Sequence, residues 1–564
     1  MAKKNNPPIS GGKAVVECLK ANNVKHVFGL IGSATMELFD ALYDEKNIKF
    51  IDVRDERTGA HMADAYARAS GKLGVIIAGQ NGPGATNLVT GVAQAKAAFS
   101  PLLSIAGAIA TEHKGKDAFQ EVDQQKLFEP ITKKTFSIDQ TKNIAVELNK
   151  AMQLAKKDKW GPVHVNIPRD ILSGNETFES FTFENKTKEK NINKNDLEKV
   201  ISLIEKAKKP IIICGAGIKN SNSHEDVISL SKNLNIPLVS SAGHGDVIPF
   251  DCDLYAGQMG PRGNKLASSL ANHADLILAI GTRLGFNSTF YSYDNISKSA
   301  KIVQVDIDPI ALGRYFPIEL GINNNAKKFL ENLSSLISLK KFNQNNTDWV
   351  NNFLNEKNKY YKNRDNEADT NSKIIQPSGL FKELREILPK NVSVTLDAGT
   401  LCLQATDQFY FAKPKSLFTP LDFGLVGFSF AAGLGVKLAQ PNTPVFSLMG
   451  DGGFGMTVSE LSTAVQHKIN TITIVMNNRS WGAEKAYQRD YYNKRYVGAD
   501  ISSPPFHELA ELYGAKGYHI TQLKDVKKAI KDALVCNKPA IVNVEVDPKA
   551  LYSFRKDSFK HRAK

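Results

Sequence analysis

Short apolar runs alternate with segments of helical periodicity along most of the chain. Each run ends in glycine or in a polar side chain, which is typical of buried parallel strands that are joined by helices. In the first third, the runs occupy residues 27–33, 50–54, 75–78, 101–107 and 163–168. A helix is predicted over residues 58–70, where recurring alanines permit close packing. The pattern predicts a doubly wound α/β domain.

The same alternation recurs in the middle and last thirds of the chain. The apolar runs there are residues 210–217, 275–283, 302–308, 444–449 and 471–476. Two polar, charged stretches, residues 174–195 and 340–372, predict linkers between the domains. The sequence therefore predicts an α/β protein with three doubly wound parallel-sheet domains, over residues 1–175, 195–340 and 375–550.

One predicted βαβ unit of the last domain carries the most specific chemistry. Its first strand ends in Gly-Asp-Gly-Gly and its second strand ends in Asn-Asn, so that Asp451 and Asn478 lie 27 residues apart. Parallel strands bring their carboxyl ends to one edge of the sheet, where open α/β sheets bind ligands. Carboxylate and amide oxygens suit Mg²⁺ or Ca²⁺, and glycines admit a phosphate close to the backbone. Gly-Asp-Gly alone is a common turn, and the Asn-Asn pair favours the metal interpretation.

This pair of motifs resembles the diphosphate–metal motif of thiamine diphosphate (ThDP) enzymes of the acetolactate synthase-like superfamily. The resemblance implies that Asp451, Asn478 and the backbone carbonyl of Ser480 hold Mg²⁺ against the diphosphate of the cofactor. It also implies that the first domain binds the pyrimidine ring and the third binds the diphosphate. The residues that would cradle the diphosphate are Gly450, Gly452, Gly453 and Phe454.

Glu56 follows the second apolar run of the first domain. An acidic residue at that place is commonly just a neighbour of a helix N-cap. However, residues 55–68 resemble the segment that carries the catalytic glutamate of the family, with Asp55 in place of the usual His and Ala65 in place of the usual Gly. The resemblance implies that Glu56 hydrogen-bonds the aminopyrimidine ring, so that its imino tautomer can remove the thiazolium proton.

Four further residues are assigned to the site by the same resemblance. Gln120 would face the thiazolium or the substrate, although an amide at a helix start explains it equally well. Gly32 and Gly82 would belong to the cofactor-binding loops. Val426 stands where relatives place a bulky residue that bends the cofactor, and valine is smaller than the usual Met or Leu.

The turn after the Asn-Asn motif points to a substrate. Residues 481–485, Trp-Gly-Ala-Glu-Lys, and residues 492–498 resemble the sulfoacetaldehyde acetyltransferases, whereas acetolactate synthases usually carry Gln-Gly and Met there. The resemblance implies cleavage of sulfoacetaldehyde with phosphate to acetyl phosphate and sulfite. Both substrates are anions that Lys485, Arg489 or Arg495 could bind, and Lys485 is the first candidate. The alternative for each cation is an exposed surface charge.

Two other functions remain open at this stage. An acetolactate synthase or related carboligase would join two 2-oxo acid or aldehyde units, and its central domain would then bind FAD, with residues 243–246 and 257–260 as loosely fitting turns. Gly215-Ala216-Gly217 indicates a nucleotide site only weakly, since packing turns explain it equally well. A catalytically silent homologue is the other function, and the presence of Glu56 and Asp451 argues against it.

Composition and charge limit the binding partners and the cellular compartment that we expect for this protein. The 564 residues are 42% hydrophobic and 23% charged, with a net charge of +14. The basic residues are spread along the chain, with clusters at 186–194 and 555–564, and no nucleic-acid-binding motif accompanies them. We therefore expect that the protein binds neither nucleic acid nor a membrane. The five scattered cysteines suit neither a disulfide framework nor a zinc site, and we expect a cytoplasmic enzyme for that reason. The family resemblance implies a homodimer or homotetramer with active sites at the subunit interface.

Overall fold

The computed structural model of the protein describes residues 7–182, 190–261, 263–339 and 345–551. Within those residues it contains three six-stranded sheets, one in each third of the chain. All neighbouring strands of these sheets run parallel. The prediction of three doubly wound parallel-sheet domains is therefore confirmed. The basic tail 555–564 and residues 186–189 of the other basic cluster lie outside the described residues.

The N-terminal domain has a sheet of order β3-β2-β4-β5-β7-β6, and β1 pairs with β8 as a separate antiparallel ribbon. The strand order reverses direction between β2 and β4, which opens a crevice at the carboxyl ends of those strands. The strands are β1 (Ile9–Ser10), β2 (His26–Gly29), β3 (Lys49–Asp52), β4 (Gly74–Ala78), β5 (Leu102–Ala108), β6 (Thr135–Ser137), β7 (Val163–Pro168) and β8 (Asn175–Glu176). The helices are α1 (Gly11–Ala21), α2 (Met36–Asp44), α3 (Glu56–Ser70), α4 (Pro83–Ala97), α5 (Gln124–Phe128), α6 (Ile144–Lys156) and α7 (Arg169–Ser173).

The central domain has a sheet of order β11-β10-β9-β12-β13-β14, with its reversal between β9 and β12. The strands are β9 (Pro210–Cys214), β10 (Leu238–Ser240), β11 (Tyr255–Gln258), β12 (Leu276–Ile280), β13 (Lys301–Asp306) and β14 (Leu320–Asn323). The helices of this part of the chain are α8 (Lys194–Lys206), α9 (Ala216–Asn220), α10 (His224–Leu234), α11 (Lys265–His273), α12 (Phe286–Thr289), α13 (Ala326–Ile337) and α14 (Thr347–Asn366).

Helix α14 occupies most of the stretch 340–372 that was predicted as a linker. Its side chains are largely polar, although Val350 and Phe353 are buried and Phe353 packs in the apolar core of the central domain. Polar contacts hold its C-terminal half. The Tyr360 hydroxyl donates to Asp407 Oδ2 at 2.8 Å, and Arg364 donates to the Asp407 carbonyl at 2.8 Å. So few buried apolar side chains in a helix of 20 residues give only a weak apolar periodicity, which is the signal on which sequence prediction relies.

The C-terminal domain has a sheet of order β16-β15-β17-β18-β20-β19, with its reversal between β15 and β17. The strands are β15 (Ser393–Leu396), β16 (Leu417–Phe418), β17 (Val445–Gly450), β18 (Ile472–Asn477), β19 (Lys516–Ile520) and β20 (Ala540–Glu545). The helices are α15 (Pro377–Ile387), α16 (Thr400–Gln408), α17 (Ser429–Ala439), α18 (Asp451–Gly455), α19 (Leu461–Gln466), α20 (Gly482–Tyr491), α21 (Phe506–Leu512) and α22 (Val526–Val535). Between β17 and β18 the chain forms two short α-helices, α18, which begins at Asp451, and α19.

The N-terminal and C-terminal domains pack against each other through α3 and α17. Gly435 of α17 lies so close to α3 that a Cβ atom built on it would stand 2.0 Å from the Met62 carbonyl oxygen. Glu460, which is fully buried, joins the two domains as well. Its carboxylate accepts hydrogen bonds from the Arg54 backbone N–H at 2.9 Å and from the Thr58 hydroxyl at 2.5 Å. The two domains are therefore in direct contact along these helices.

Among the described residues, no helix combines the length and the apolar character that crossing a bilayer requires.

We expect Gly435→Ala to destabilise the protein, although alanine is the better helix former by about 1 kcal/mol. The added methyl group would meet backbone atoms, which no side-chain rotation relieves, and overpacking of this kind costs about 1–3 kcal/mol or more. Thermal unfolding should show a lower midpoint. The control is Gly245→Ala, where the nearest atom is Leu417 Cδ2 at 3.7 Å and little change is expected. Equal midpoints for the two variants would contradict the close approach of α3 and α17.

Candidate cofactor and metal site

A cavity of about 210 Å³ lies at the carboxyl ends of β15, β17 and β18. This is the edge at which the sheet order reverses, as the sequence predicts for a ligand site. The predicted site residues that line the cavity are Val426, Gly450, Gly452, Gly453, Asn478 and Ser480. Three further side chains of the lining carry charge, and all three are carboxylates: Asp397, Glu484 and Asp547.

Asp451 is the first residue of α18 and is only 1% exposed. Its Oδ2 accepts a hydrogen bond from the Ser503 hydroxyl at 2.6 Å, whereas its Oδ1 is buried without a hydrogen-bond partner among the described residues. An unpaired buried carboxylate oxygen is costly unless a ligand satisfies it. Asn478 and Ser480 follow the neighbouring strand, and both line the cavity. A carboxylate, an amide and a backbone carbonyl fit a hard divalent cation.

The two glycines after Asp451 let the turn lie closer to its neighbours than any side chain would allow. A Cβ atom on Gly452 would stand 2.6 Å from the Trp481 ring, and one on Gly453 would stand 2.1 Å from Asp397 Oδ2. Both glycines line the cavity, so the backbone of this turn faces it without a side chain in between. Phe454 differs from its neighbours, because its ring is fully buried between Phe430 and Phe506. Its side chain anchors the turn in the core, and a cofactor contact from residue 454 stays a prediction.

Val426 lines the cavity next to the Gly452–Gly453 turn. Its Cγ1 atom would be 3.4 Å from a Cβ atom built on Gly453. The residue stands between Gly424 and Gly427, whose φ angles of 73° and 82° favour glycine. This position agrees with a side chain that supports a ligand in the cavity.

Glu56 is the first residue of α3 in the N-terminal domain and is 3% exposed. Its Oε2 accepts a hydrogen bond from Asn87 Nδ2 at 3.1 Å. Burial raises the pKa of the Glu56 carboxyl, and the hydrogen bond from Asn87 lowers that pKa in part. A buried carboxyl that keeps its proton more readily than an exposed one can donate a hydrogen bond to a ring nitrogen.

Gly82 and Gln120 are brought together, although they lie far apart in the sequence. Gly82 has a φ of 49°, and a Cβ atom on it would stand 2.6 Å from the Gln120 carbonyl oxygen. That carbonyl accepts a hydrogen bond from Asn81 Nδ2 at 3.0 Å. Gly32 packs in the same way against the loop after β4, where its Cβ atom would stand 2.2 Å from the Gly79 oxygen. These loops lie at the carboxyl ends of β2 and β4.

Lys485 lies outside the lining of the cavity. Its ammonium group forms an ion pair with Asp500 and stands 5.5 Å from the centre of the Tyr496 ring. Arg489 pairs with Asp490 at 2.7 Å. Glu484, one residue earlier on α20, lines the cavity instead. The role of Lys485 in binding a substrate anion stays a prediction, and this placement gives it no support.

Three carboxylates of the cavity lining, Asp397, Glu484 and Asp547, were not among the predicted site residues. Glu484 was passed over for its neighbour because α20 begins only at Gly482, and the helix start decides which side chain turns inward. Asp397 directly follows β15, as Asp451 follows β17. An acidic residue after an apolar run was the signal that could have found it.

The N-terminal domain contributes none of its described residues to the cavity lining at β15, β17 and β18. Gln120 lines a separate cavity of about 340 Å³ within its own domain. Within one chain, the buried glutamate and the Asp451 turn therefore do not share a cavity.

The fold and the open glycine turn define an enzyme that binds a diphosphate-bearing cofactor at the carboxyl ends of parallel strands. The chain belongs to the thiamine pyrophosphate enzymes. The N-terminal TPP binding domain of that family matches residues 9–127, the central domain matches residues 197–333, and the C-terminal TPP binding domain matches residues 397–544. The cofactor of the family is thiamine diphosphate, which the two TPP binding domains hold.

Relatives with two different names resemble the chain to a similar degree. A probable acetolactate synthase large subunit of Methanococcus aeolicus is 32% identical over 97% of this chain and 93% of its own length. A sulfoacetaldehyde acetyltransferase of Castellaniella defragrans is 33% identical over 93% of this chain and 90% of its own length. The acetolactate synthase large subunit of Haemophilus influenzae is 32% identical over 96% of this chain and 95% of its own length. Overall identity does not choose between the two activities.

We expect Asn87→Ala to raise the pKa of Glu56 further. The Asn87 amide donates to the carboxylate and so stabilises its charged form, and the loss of such a bond corresponds to about half a pH unit or more. ThDP affinity is measured by calorimetry across a pH series. The pH at which this affinity changes because Glu56 ionises should be higher in the variant than in the wild type. The control is Thr86→Ala, which removes a hydroxyl that donates to Pro83. An unchanged midpoint in Asn87→Ala would contradict the assigned contact.

Proposed function

We propose that the protein is a ThDP- and Mg²⁺-dependent enzyme that cleaves sulfoacetaldehyde with phosphate to acetyl phosphate and sulfite. The observation that carries the proposal is the Trp481–Glu484 turn, which lines the cavity directly beside the Gly452 turn. A turn in this position contacts whatever reacts at the cofactor. Its sequence resembles that of the sulfoacetaldehyde acetyltransferases and differs from the usual acetolactate synthase pattern.

The chain supplies the groups that such a reaction needs around the cofactor. Bound ThDP supplies a carbon nucleophile and an electron sink. Asp451, Asn478 and the Ser480 carbonyl would hold Mg²⁺ against the diphosphate. Glu56 would hydrogen-bond the aminopyrimidine ring and fix its tautomer. Gln120 would orient the substrate.

The charges of the cavity support a site that two subunits share. Among the described residues, this chain lines the cavity with three carboxylates and with no Lys or Arg, yet both proposed substrates are anions. The missing cations and Glu56 would come from the N-terminal domain of a second copy. Exposed apolar side chains beside Gly32 and Gln120 support such an interface: Ile31 is 60% exposed, Phe119 is 86% exposed and Val122 is 44% exposed. We infer a homodimer or homotetramer.

A second candidate function is an acetolactate synthase or related carboligase with FAD in the central domain. A cavity of about 200 Å³ at the carboxyl ends of β9 and β12 favours it, since nucleotides bind at such reversals. Gly217, Gly281 and Asp306 line that cavity, together with His244 of the turn 243–246. A flavin absorption spectrum of the purified protein would support this candidate.

The proposed reaction is tested by incubating the protein with sulfoacetaldehyde, ThDP, Mg²⁺ and phosphate. We expect sulfite and acetyl phosphate in equal amounts, and neither product with the Glu56→Gln variant. A parallel incubation with pyruvate measures acetolactate. If sulfite and acetyl phosphate stay at background while pyruvate yields acetolactate, the carboligase is the correct function.

A further inference from the structure

Asp397 is a buried carboxylate at the end of β15 that accepts three backbone hydrogen bonds. Its side chain is 1% exposed. Oδ2 accepts from the Gly427 N–H at 3.0 Å, and Oδ1 accepts from the Phe428 N–H at 2.7 Å and from the Ser429 N–H at 3.3 Å. All three donors belong to the segment that carries Val426 into α17. The carboxylate therefore fixes the chain directly after Val426.

The same carboxylate also lies against the turn after β17. A Cβ atom on Gly453 would stand 2.1 Å from Asp397 Oδ2, a distance that no side chain tolerates. Glycine at position 453 thus allows the turn and the carboxylate to touch. Asp397 therefore contacts both the Val426 segment and the Gly452–Gly453 turn, two neighbouring parts of the cavity lining.

We infer that Asp397 is a positioning residue that sets the distance between Val426 and the Gly452–Gly453 turn before the cofactor binds. The inference rests on the cofactor of the family and on the cavity assigned to it. It does not depend on which acyl donor or acceptor the enzyme uses. A failure of the sulfoacetaldehyde assay would therefore leave it untouched.

The energetics favour a preformed cavity. A buried carboxylate is costly, and hydrogen bonds from backbone N–H groups to a charged acceptor are about twice as strong as neutral ones. The segment that these bonds hold contains Gly424 and Gly427, and glycine loses more conformational freedom on ordering than any other residue. If Asp397 fixes the segment during folding, the cofactor does not have to order it, and affinity rises for that reason.

A helix cap without any role at the cofactor is the competing explanation, since α17 begins at Ser429. A cap would contribute to stability alone. Asp275 of the central domain provides a matched comparison, because its carboxylate accepts the Lys208 N–H at 2.7 Å and the Lys209 N–H at 2.9 Å. It lies outside the lining of the cofactor cavity.

The first test is calorimetric titration of the cofactor-free, full-length chain with ThDP in the presence of Mg²⁺. We expect Asp397→Asn to weaken ThDP binding by about tenfold or more. The asparagine amide has one acceptor oxygen in place of two, so it cannot accept all three backbone hydrogen bonds. Asp275→Asn should lower the unfolding midpoint and leave the ThDP affinity unchanged. An Asp397→Asn affinity within about twofold of wild type would overturn the inference.

The second test uses the unaltered chain, so that it does not depend on the folding of a variant. Hydrogen exchange of the Gly427, Phe428 and Ser429 amides is measured without ThDP and then with ThDP. We expect these amides to be protected in the cofactor-free protein, because Asp397 already accepts their hydrogen bonds. Rapid exchange that slows only after ThDP is added would show that the cofactor, and not Asp397, orders the segment.

Discussion

The parallel pairing of β15, β17 and β18 is the constraint on which the site depends. The register pairs Leu396 with Leu448 and Leu448 with Ile474, so that all three strands end at one edge of the sheet. The residues that follow them, Asp397, Asp451 and Asn478, are brought to that edge by the backbone alone. Once the strands are paired, hydrogen bonds from Ser503 and from the segment 427–429 only refine where the carboxylates point.

The packing of α3 on α17 adds a second constraint, which acts between domains. Gly435 lets the helices approach, and the buried Glu460 binds the start of α3 to the C-terminal domain. In this arrangement Glu56 is buried beside Asn87, while the described residues that line the cavity next to Asp451 all belong to the C-terminal domain. The proposed shared site follows from this separation, since a second copy would bring Glu56 and the Asp451 turn to one cofactor.

Much of this architecture could be predicted from the sequence. Apolar runs located β17 and β18 within one residue, because buried parallel strands leave few other places for such residues. Polar contacts were harder to foresee. Helix α14 buries few apolar side chains, Phe353 among them, and its C-terminal half is held by hydrogen bonds to the chain around Asp407, so its sequence resembles a linker. The choice between Glu484 and Lys485 depended on where α20 begins, which residue types do not reveal.

The most direct test of a site shared between subunits is a mixed oligomer of Glu56→Gln and Asp451→Ala chains. Each variant alone should be inactive in the sulfite-release assay or, if the carboligase is the correct function, in acetolactate formation. After the two are unfolded and refolded together, we predict recovery of about a quarter of wild-type activity, because random pairing makes half of the dimers mixed and each has one intact site of two. Refolded mixtures that remain inactive, while wild type regains activity under the same conditions, would contradict the account.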